Sequence, residues 1–226
     1  MTKQIKDISH KLIDSLSDGV FSIALTLLGL DVVSLVPEVS HSKNFNTVMA
    51  DHWPTFLAYI LGFVVLFSMW YTYHTLSQYV VGTNTYIVWN HGLTMAWVAI
   101  MPFGVALLAD NLNTSNRKWG VFYFGVCLFG QYWTASLQNL FVLVLKTEFS
   151  ITFTEDMPLA DLPLERKKKI LMMFSLIPAL LGVVLVSVAI INPWIALIGF
   201  SLFIFSNVNP VRSINRLTPF VLNRFN

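Results

Sequence analysis

The chain has 226 residues, of which 55% are hydrophobic and only 12% charged, and its mean hydropathy is +0.65. A soluble domain needs more polar surface than this composition supplies, so the chain reads as a membrane protein. The formal net charge of +2 is too small to suggest nucleic acid as a partner, the basic residues clustering beside apolar spans, and a single cysteine, Cys127 in an apolar run, excludes an intrachain disulfide or thiolate metal framework and reads as a packing residue.

A helix needs roughly 20 mostly apolar residues to cross the hydrocarbon core. The first such stretch is 19–36, closed by Pro37. It follows a mixed-charge segment with Lys3, Lys6, Asp7, Lys11 and Asp14, and no small-residue cleavage site follows it, so it reads as a retained helix rather than a signal peptide. The second is 53–74, with Pro54 suited to a first helical turn, and the third is 86–108, after a short uncharged turn around Gly82. Three more follow at 119–145, 170–191 and 193–208, the last two joined by Asn192-Pro193. The expected fold class is an all-α polytopic membrane protein with six transmembrane helices per chain, in a single domain covering 1–226. The tail, 209–226, alternates Arg212, Arg216 and Arg224 with Ile214, Leu217, Phe220, Val221 and Phe225, and is expected to lie along the inner interface.

Orientation follows from lysine and arginine in the joints. With the N-terminus inside, eleven fall on the inner side (Lys3, Lys6, Lys11, Lys146, Arg166, Lys167, Lys168, Lys169, Arg212, Arg216, Arg224) and three outside (Lys43, Arg117, Lys118), so both termini are expected in the cytoplasm of a multi-pass cell-membrane protein. Trp53, Trp119 and Trp194 then fall at outer span ends, where an aromatic belt belongs. The connector 146–169 places acids ahead of the basic run Arg166 to Lys169, a pattern suited to a solvated loop meeting anionic headgroups. Asn113-Thr114-Ser115 is a glycosylation sequon in an outer loop.

The chain has no phosphate loop, HExxH, nucleophile elbow or paired carboxylates within a span, so catalysis is not expected. A carbonyl filter of the TVGYG kind is also missing, the nearest string being Val81-Gly82-Thr83-Asn84-Thr85, so a pore would be lined by helix side chains. The first span is the informative one because charges within membranes are costly. Asp18 and Asp31 leave twelve uncharged residues between them. That is about 18 Å of helix against a bilayer core of about 30 Å. The mismatch eases if this helix faces protein and water, with Asp31 in an outer vestibule and Asp18 in a buried polar cluster or inner mouth; the alternative places both acids at the interfaces of a thinned membrane. Leu16, Val20, Ile23, Leu27, Leu30 and Ser34 recur at steps of three and four as one stripe, with Ser22 and Thr26 on a neighbouring strip. Periodicity alone leaves this stripe open between helix packing and pore lining, and leaves the hydroxyls open between ion contacts and bonds to their own backbone.

The segment Ser17-Asp18-Gly19-Val20-Phe21-Ser22-Ile23-Ala24-Leu25-Thr26-Leu27-Leu28-Gly29-Leu30-Asp31 resembles the first helix of the endolysosomal potassium-channel family called transmembrane protein one-seven-five. That family's hallmark is Arg-x-x-x-Phe-Ser-Asp; here Leu12 and Leu16 stand for its arginine and phenylalanine, with Lys11 one position earlier. Trp70-Tyr71-Thr72-Tyr73-His74 is similar to the family's Trp-x-x-His-His, with Tyr73 replacing the first histidine, and Asn90 and Pro102-Phe103 match its third helix. The likeness is strongest over the first half of the chain.

The resemblance implies a homotetrameric, potassium-selective cation channel embedded in lipid, of the prokaryotic six-span type, without a pore loop or organic cofactor. Four first helices would surround the pore. Ile23, Leu27 and Leu30 would form hydrophobic rings that gate by dewetting, and Thr26 and Ser22 would contact potassium in transit. Asp31 would sit in the outer vestibule. Ser17, Asp18, Trp70, His74 and Asn90 would form a buried polar network joining the first three helices, although Trp70 and His74 also suit plain packing roles. The competing expectation is a proton-coupled secondary transporter, or a proton pathway, relayed through Asp18, His74 and Asp31.

Overall fold

In a computed structural model the backbone is described for residues 2–77, 85–145 and 164–206, and side-chain surroundings for 14–74, 88–134, 136 and 176–206. The turn around Gly82, the connector 146–163 and the tail 209–226 fall outside the described residues. Every regular element among those described is helical: α1 (Thr2–Ser34), α2 (Val36–His41), α3 (Phe45–Asp51), α4 (Trp53–Ser77), α5 (Thr85–Asn111), α6 (Arg117–Leu145), α7 (Leu164–Ile191) and α8 (Pro193–Ser206). Among the described residues three helical stretches are long and apolar enough to cross a membrane, Asp14–His41, Trp53–His74 and Val88–Asn111, and two shorter apolar ones follow at Leu176–Ile191 and Pro193–Ser206.

Helix ends follow local chemistry. Asn192 separates α7 from α8, and its side-chain carbonyl oxygen accepts the backbone N–H groups of Trp194 and Ile195, both at 3.2 Å, which satisfies donors that the first turn of α8 would leave open. The chain leaves α1 through Leu35, whose carbonyl accepts the N–H of Val39 at 3.0 Å, so the short α2 continues almost directly from α1 beyond Pro37. The sequence reading placed no helix in the first joint; α2 and α3 occupy it, and Glu38 meets His52 there at 3.2 Å.

Packing proceeds largely between neighbours in the chain, α5 on α6, α6 on α7 and α7 on α8, while α1 lies in the angle between α4 and α5. The core at the α6–α7–α8 end is aromatic. Phe129 is fully buried among the rings of Phe200, Phe203 and Tyr132, at centroid separations of 5.9, 4.8 and 6.0 Å. Two glycines permit this density: a methyl group on Gly182 would stand 2.5 Å from the Phe129 ring, and one on Gly130 would stand 2.3 Å from the indole of Trp97. Indole N–H groups tie the same layer together, Trp97 to Thr134 and Trp133 to the carbonyl of Ala179, each at 2.9 Å. Cys127 is buried against Gly104, consistent with its reading as a packing residue.

At the opposite end of the helices, Arg117 joins three elements. Its Nε–H donates to the carbonyl of Leu112 just beyond α5, and its guanidinium lies 4.7 Å from the ring of Trp194. Trp194 in turn stacks on Trp53 at 6.4 Å, so the first turns of α4, α6 and α8 share one end of the molecule.

Candidate functional site along α1

The first helix has two unlike faces. Ser17, Phe21, Ala24 and Leu28, spaced four, three and four apart, are between 1% and 6% exposed and pack toward α4 and α5. On the other side Ile23, Leu27 and Leu30 are 62%, 43% and 58% exposed, and Ser22, Thr26 and Ser34 are exposed beside them. Within its most apolar eighteen residues this stretch buries only 17%, against 33% for Trp53–His74 and 44% for Val88–Asn111. Of these three stretches, it is the one least covered by the described residues of its own chain.

Leu16 shares the open side of the predicted stripe, whereas Val20 turns partly inward. The Thr26 hydroxyl donates to the carbonyl of Ile23 at 2.8 Å, and that of Ser34 to Asp31 at 2.7 Å. Back-bonding of this kind fixes the hydroxyl proton against the helix and leaves the oxygen's lone pairs directed away from it. An exposed face carrying such oxygens between aliphatic side chains presents acceptors, the chemistry that a cation requires.

Asp31 lies elsewhere. It is half-buried and turned from the open face toward the end of α5, close enough to the exposed Asp110 for the two like charges to interact. The two acids of α1 thus have different settings, one beside a second carboxylate and the other beside an indole.

At the Asp18 end, the structure gathers most of the predicted polar residues. Trp70 of α4 donates its indole N–H to an Asp18 carboxylate oxygen at 2.9 Å, and its ring stacks on His74 at 5.3 Å. Ser17, buried on the adjoining face, is within hydrogen-bond distance of Nε2 of His91 on α5. Tyr73 meets the His91 ring edge-on at 5.4 Å and that of Phe21 at 6.1 Å. Asn90 is half-buried beside His91, and its carbonyl accepts the Thr94 hydroxyl at 3.1 Å. The polar residues therefore form two joints: Asp18–Trp70 fastens α1 to α4, and Ser17–His91 fastens α1 to α5.

The sequence reading named Ser17 and Asn90 but passed over His91. An ionisable ring at membrane depth, next to a residue already singled out, was the available signal. No group of three or more metal-ligating His, Cys, Asp or Glu side chains occurs among the described residues.

Comparison with known proteins places this helix assembly in context. Residues 13–102 match the family described as "Endosomal/lysosomal potassium channel TMEM175". The chain is similar to "Potassium channel B446_29190" of Streptomyces collinus, 33% identical over 106 residues that cover 47% of this chain and 50% of the relative. It is also similar to the Gallus gallus protein "Endosomal/lysosomal proton channel TMEM175", 25% identical over 49% of this chain and 23% of the relative. The chain thus spans about half the length of the bacterial relative and less than a quarter of the animal one. A solved structure, that of a lysosomal potassium-selective channel TMEM175 homolog from Chamaesiphon minutus, shares the fold, with a TM-score of 0.70 at 19% identity, covering 91% of this chain and 98% of that one. The likeness to the TMEM175 family thus lies in residues 13–102, the segment that carries most of α1 and most of its seat on α4 and α5.

Proposed function

We propose that this chain is a subunit of a passive, potassium-selective cation channel in the cell membrane, a homotetramer in which four copies of α1 line the conduction path. The observation that carries the reading is the uncovered face of α1, where exposed Ile23, Leu27 and Leu30 alternate with the hydroxyls of Ser22 and Thr26. A lipid-facing helix has no use for a carboxylate such as the exposed Asp18 at one end of that face, whereas a face turned to water and to other copies does. In this reading α1 and α4 to α8 supply the six spans, with both termini cytoplasmic.

Conduction follows from the side chains. Ile23, Leu27 and Leu30 form rings of hydrocarbon that expel water when narrow and pass hydrated or partly hydrated ions when slightly wider. Thr26 and Ser22 present hydroxyl oxygens that replace part of the ion's hydration shell. Asp31, with Asp110 beside it, holds negative potential near the outer mouth and raises the local cation concentration.

Reconstitution into liposomes with potassium, sodium and proton gradients imposed separately tests the reading. Potassium flux is expected under its own gradient alone; Ile23→Ala and Leu27→Ser are expected to raise it, and Thr26→Val to change the potassium-to-sodium ratio. Flux unaltered by all three substitutions, or present only when two gradients are coupled, refutes it. The second outcome would favour the other reading, a proton-coupled transporter or proton pathway relayed through Asp18, His74 and Asp31. That reading draws support from the placement of Asp18 and His74 on either side of Trp70 and from the name of the animal relative.

A further inference from the structure

We infer that Arg117 holds the phosphate of an anionic glycerophospholipid where α4, α6 and α8 begin, a site set by these helices standing in a membrane and independent of what the protein conducts.

Trp53, Trp119 and Trp194, in the first turns of α4, α6 and α8, are each between 40% and 44% exposed, and Trp53 stacks on Trp194. Indoles packed on one side and open on the other settle at the headgroup level, where the ring has hydrocarbon against it and its N–H meets water. From there α8 continues with Ile195, Ile198 and Leu202 exposed along one face, at steps of three and four, a hydrocarbon surface that suits acyl chains. The Arg117 guanidinium, 4.7 Å from the Trp194 ring, therefore lies at the depth of lipid phosphates.

That guanidinium is fixed in place but only partly used. It has five N–H groups in one plane. The Nε–H donates to the carbonyl of Leu112, and the Trp194 ring covers one face of the group. Among the described residues its two Nη nitrogens meet no acceptor, and no carboxylate pairs with it. Acids near the same helix ends interact with other groups, Asp31 with Asp110 and Glu38 with His52. A half-buried cation with four N–H groups left over lacks an anion, and a phosphate accepts two of them in parallel. Because Leu112 and Trp194 already hold the side chain, its ordering entropy is lost on folding and not again on binding.

The apolar face of α8 decides the source of the phosphate. Free phosphate uses the guanidinium alone, whereas a lipid also covers the exposed aliphatic side chains below it. In phosphatidylcholine the choline ammonium of the same headgroup competes for the phosphate; phosphatidylglycerol carries no such cation, so the anionic lipid is preferred. Lys118, the next residue, is exposed and lies over Trp119 at 5.4 Å, so it adds positive potential at this level without belonging to the clamp.

The test is thermal unfolding of the full chain in detergent with dioleoylphosphatidylglycerol, dioleoylphosphatidylcholine or inorganic phosphate, for wild type, Arg117→Gln and Lys118→Gln. At ten times its dissociation constant the anionic lipid is expected to raise the wild-type midpoint by at least about 3 °C over the value in phosphatidylcholine. Lys118→Gln is expected to keep most of that increment and Arg117→Gln, with the same loss of charge, to lose most of it. Equal increments in the two variants overturn the proposal, because the effect is then either indifferent to Arg117 or a matter of net charge alone. A wild type that does not distinguish the two lipids overturns it as well, as does one that inorganic phosphate stabilises as much as the anionic lipid does. Should Arg117→Gln not fold, Arg117→Lys takes its place: lysine keeps the charge but lacks the fork that holds Leu112 and a phosphate together, so a diminished increment supports the proposal and an undiminished one overturns it.

Discussion

Replacing Trp70 with phenylalanine isolates a single interaction at the seat of α1. The substitution keeps an aromatic ring between Phe67 and His74, whose centroids lie 5.7 and 5.3 Å from that of Trp70, and removes the N–H that reaches Asp18 at 2.9 Å. A hydrogen bond to a charged acceptor contributes about 1.5–3 kcal/mol in soluble proteins. Interhelical hydrogen bonds in membrane proteins average about 0.6 and reach about 1.7 kcal/mol, because the separated helices find other partners. Asp18 is exposed, so hydration of its carboxylate compensates for much of a lost donor, and the lower range governs. Trp70→Phe is therefore expected to destabilise the protein by about 1 kcal/mol. Equilibrium unfolding in detergent measures this, and a double-mutant cycle with Asp18→Leu separates the hydrogen bond from the loss of indole area. The coupling energy should account for most of the single-mutant effect. A cycle that closes with no coupling would refute the assignment of Asp18–Trp70 as the α1–α4 joint.

A methyl group at Gly182 would stand 2.5 Å from a fully buried phenyl ring with no room to retreat, so Gly182→Ala is expected to cost about 1–3 kcal/mol in the same unfolding assay. Gly29→Ala meets nothing within 4 Å and is expected to be neutral or to stabilise α1 by up to about 1 kcal/mol through helix propensity, a contrast that tests the close packing of α6 on α7. Asp31→Asn should lower potassium conductance in planar bilayers at low ionic strength, with the difference shrinking toward about 1 M salt as the field is screened; a salt-independent effect would count against the vestibule role.

Composition and patterning were enough to read the all-helical class and to choose α1 as the helix of interest, because the spacing of Asp18 and Asp31 and the stripe of Ile23, Leu27 and Leu30 are local properties of one segment. The pairing of Asp18 with Trp70 is a contact across 52 residues, and only the family resemblance brought the two together. The Ser17–His91 contact spans 74 residues and follows no pattern in either segment; it exists because α1 lies in the angle between α4 and α5, which no periodicity encodes. The short helices α2 and α3 were hidden for the opposite reason. Six and seven residues are too few for a period to register, and their sequences, VPEVSH and FNTVMAD, combine helix-permissive residues with loop-like polarity. Asp31 was assigned its end of the molecule from sequence, but its turn toward Asp110 depends on how α1 is rotated against α5.

The two ends of α1 are held by different physics, and this bears on which end moves. At the Leu28 level the contact is steric. A methyl on Gly62 of α4 would stand 2.6 Å from Val105 and 3.3 Å from Leu28, so α1, α4 and α5 meet there with almost no slack, and displacement would open a void in a dense apolar layer. At the Ser17–Asp18 level the contact is polar and directional, with hydrogen bonds to two different helices among those described. Such bonds exchange partners at small net cost. In the proposed channel, any movement of α1 would therefore pivot near Leu28 and be greatest at the polar end near Ser17. Ile23 lies between them, more than a turn from either, where rotation about the pivot shifts its side chain further than that of Leu27. In the proposed channel, a gate worked in this way would be controlled at Ile23 first, with Leu27 and Leu30, nearer the pivot, as the less mobile part of the constriction.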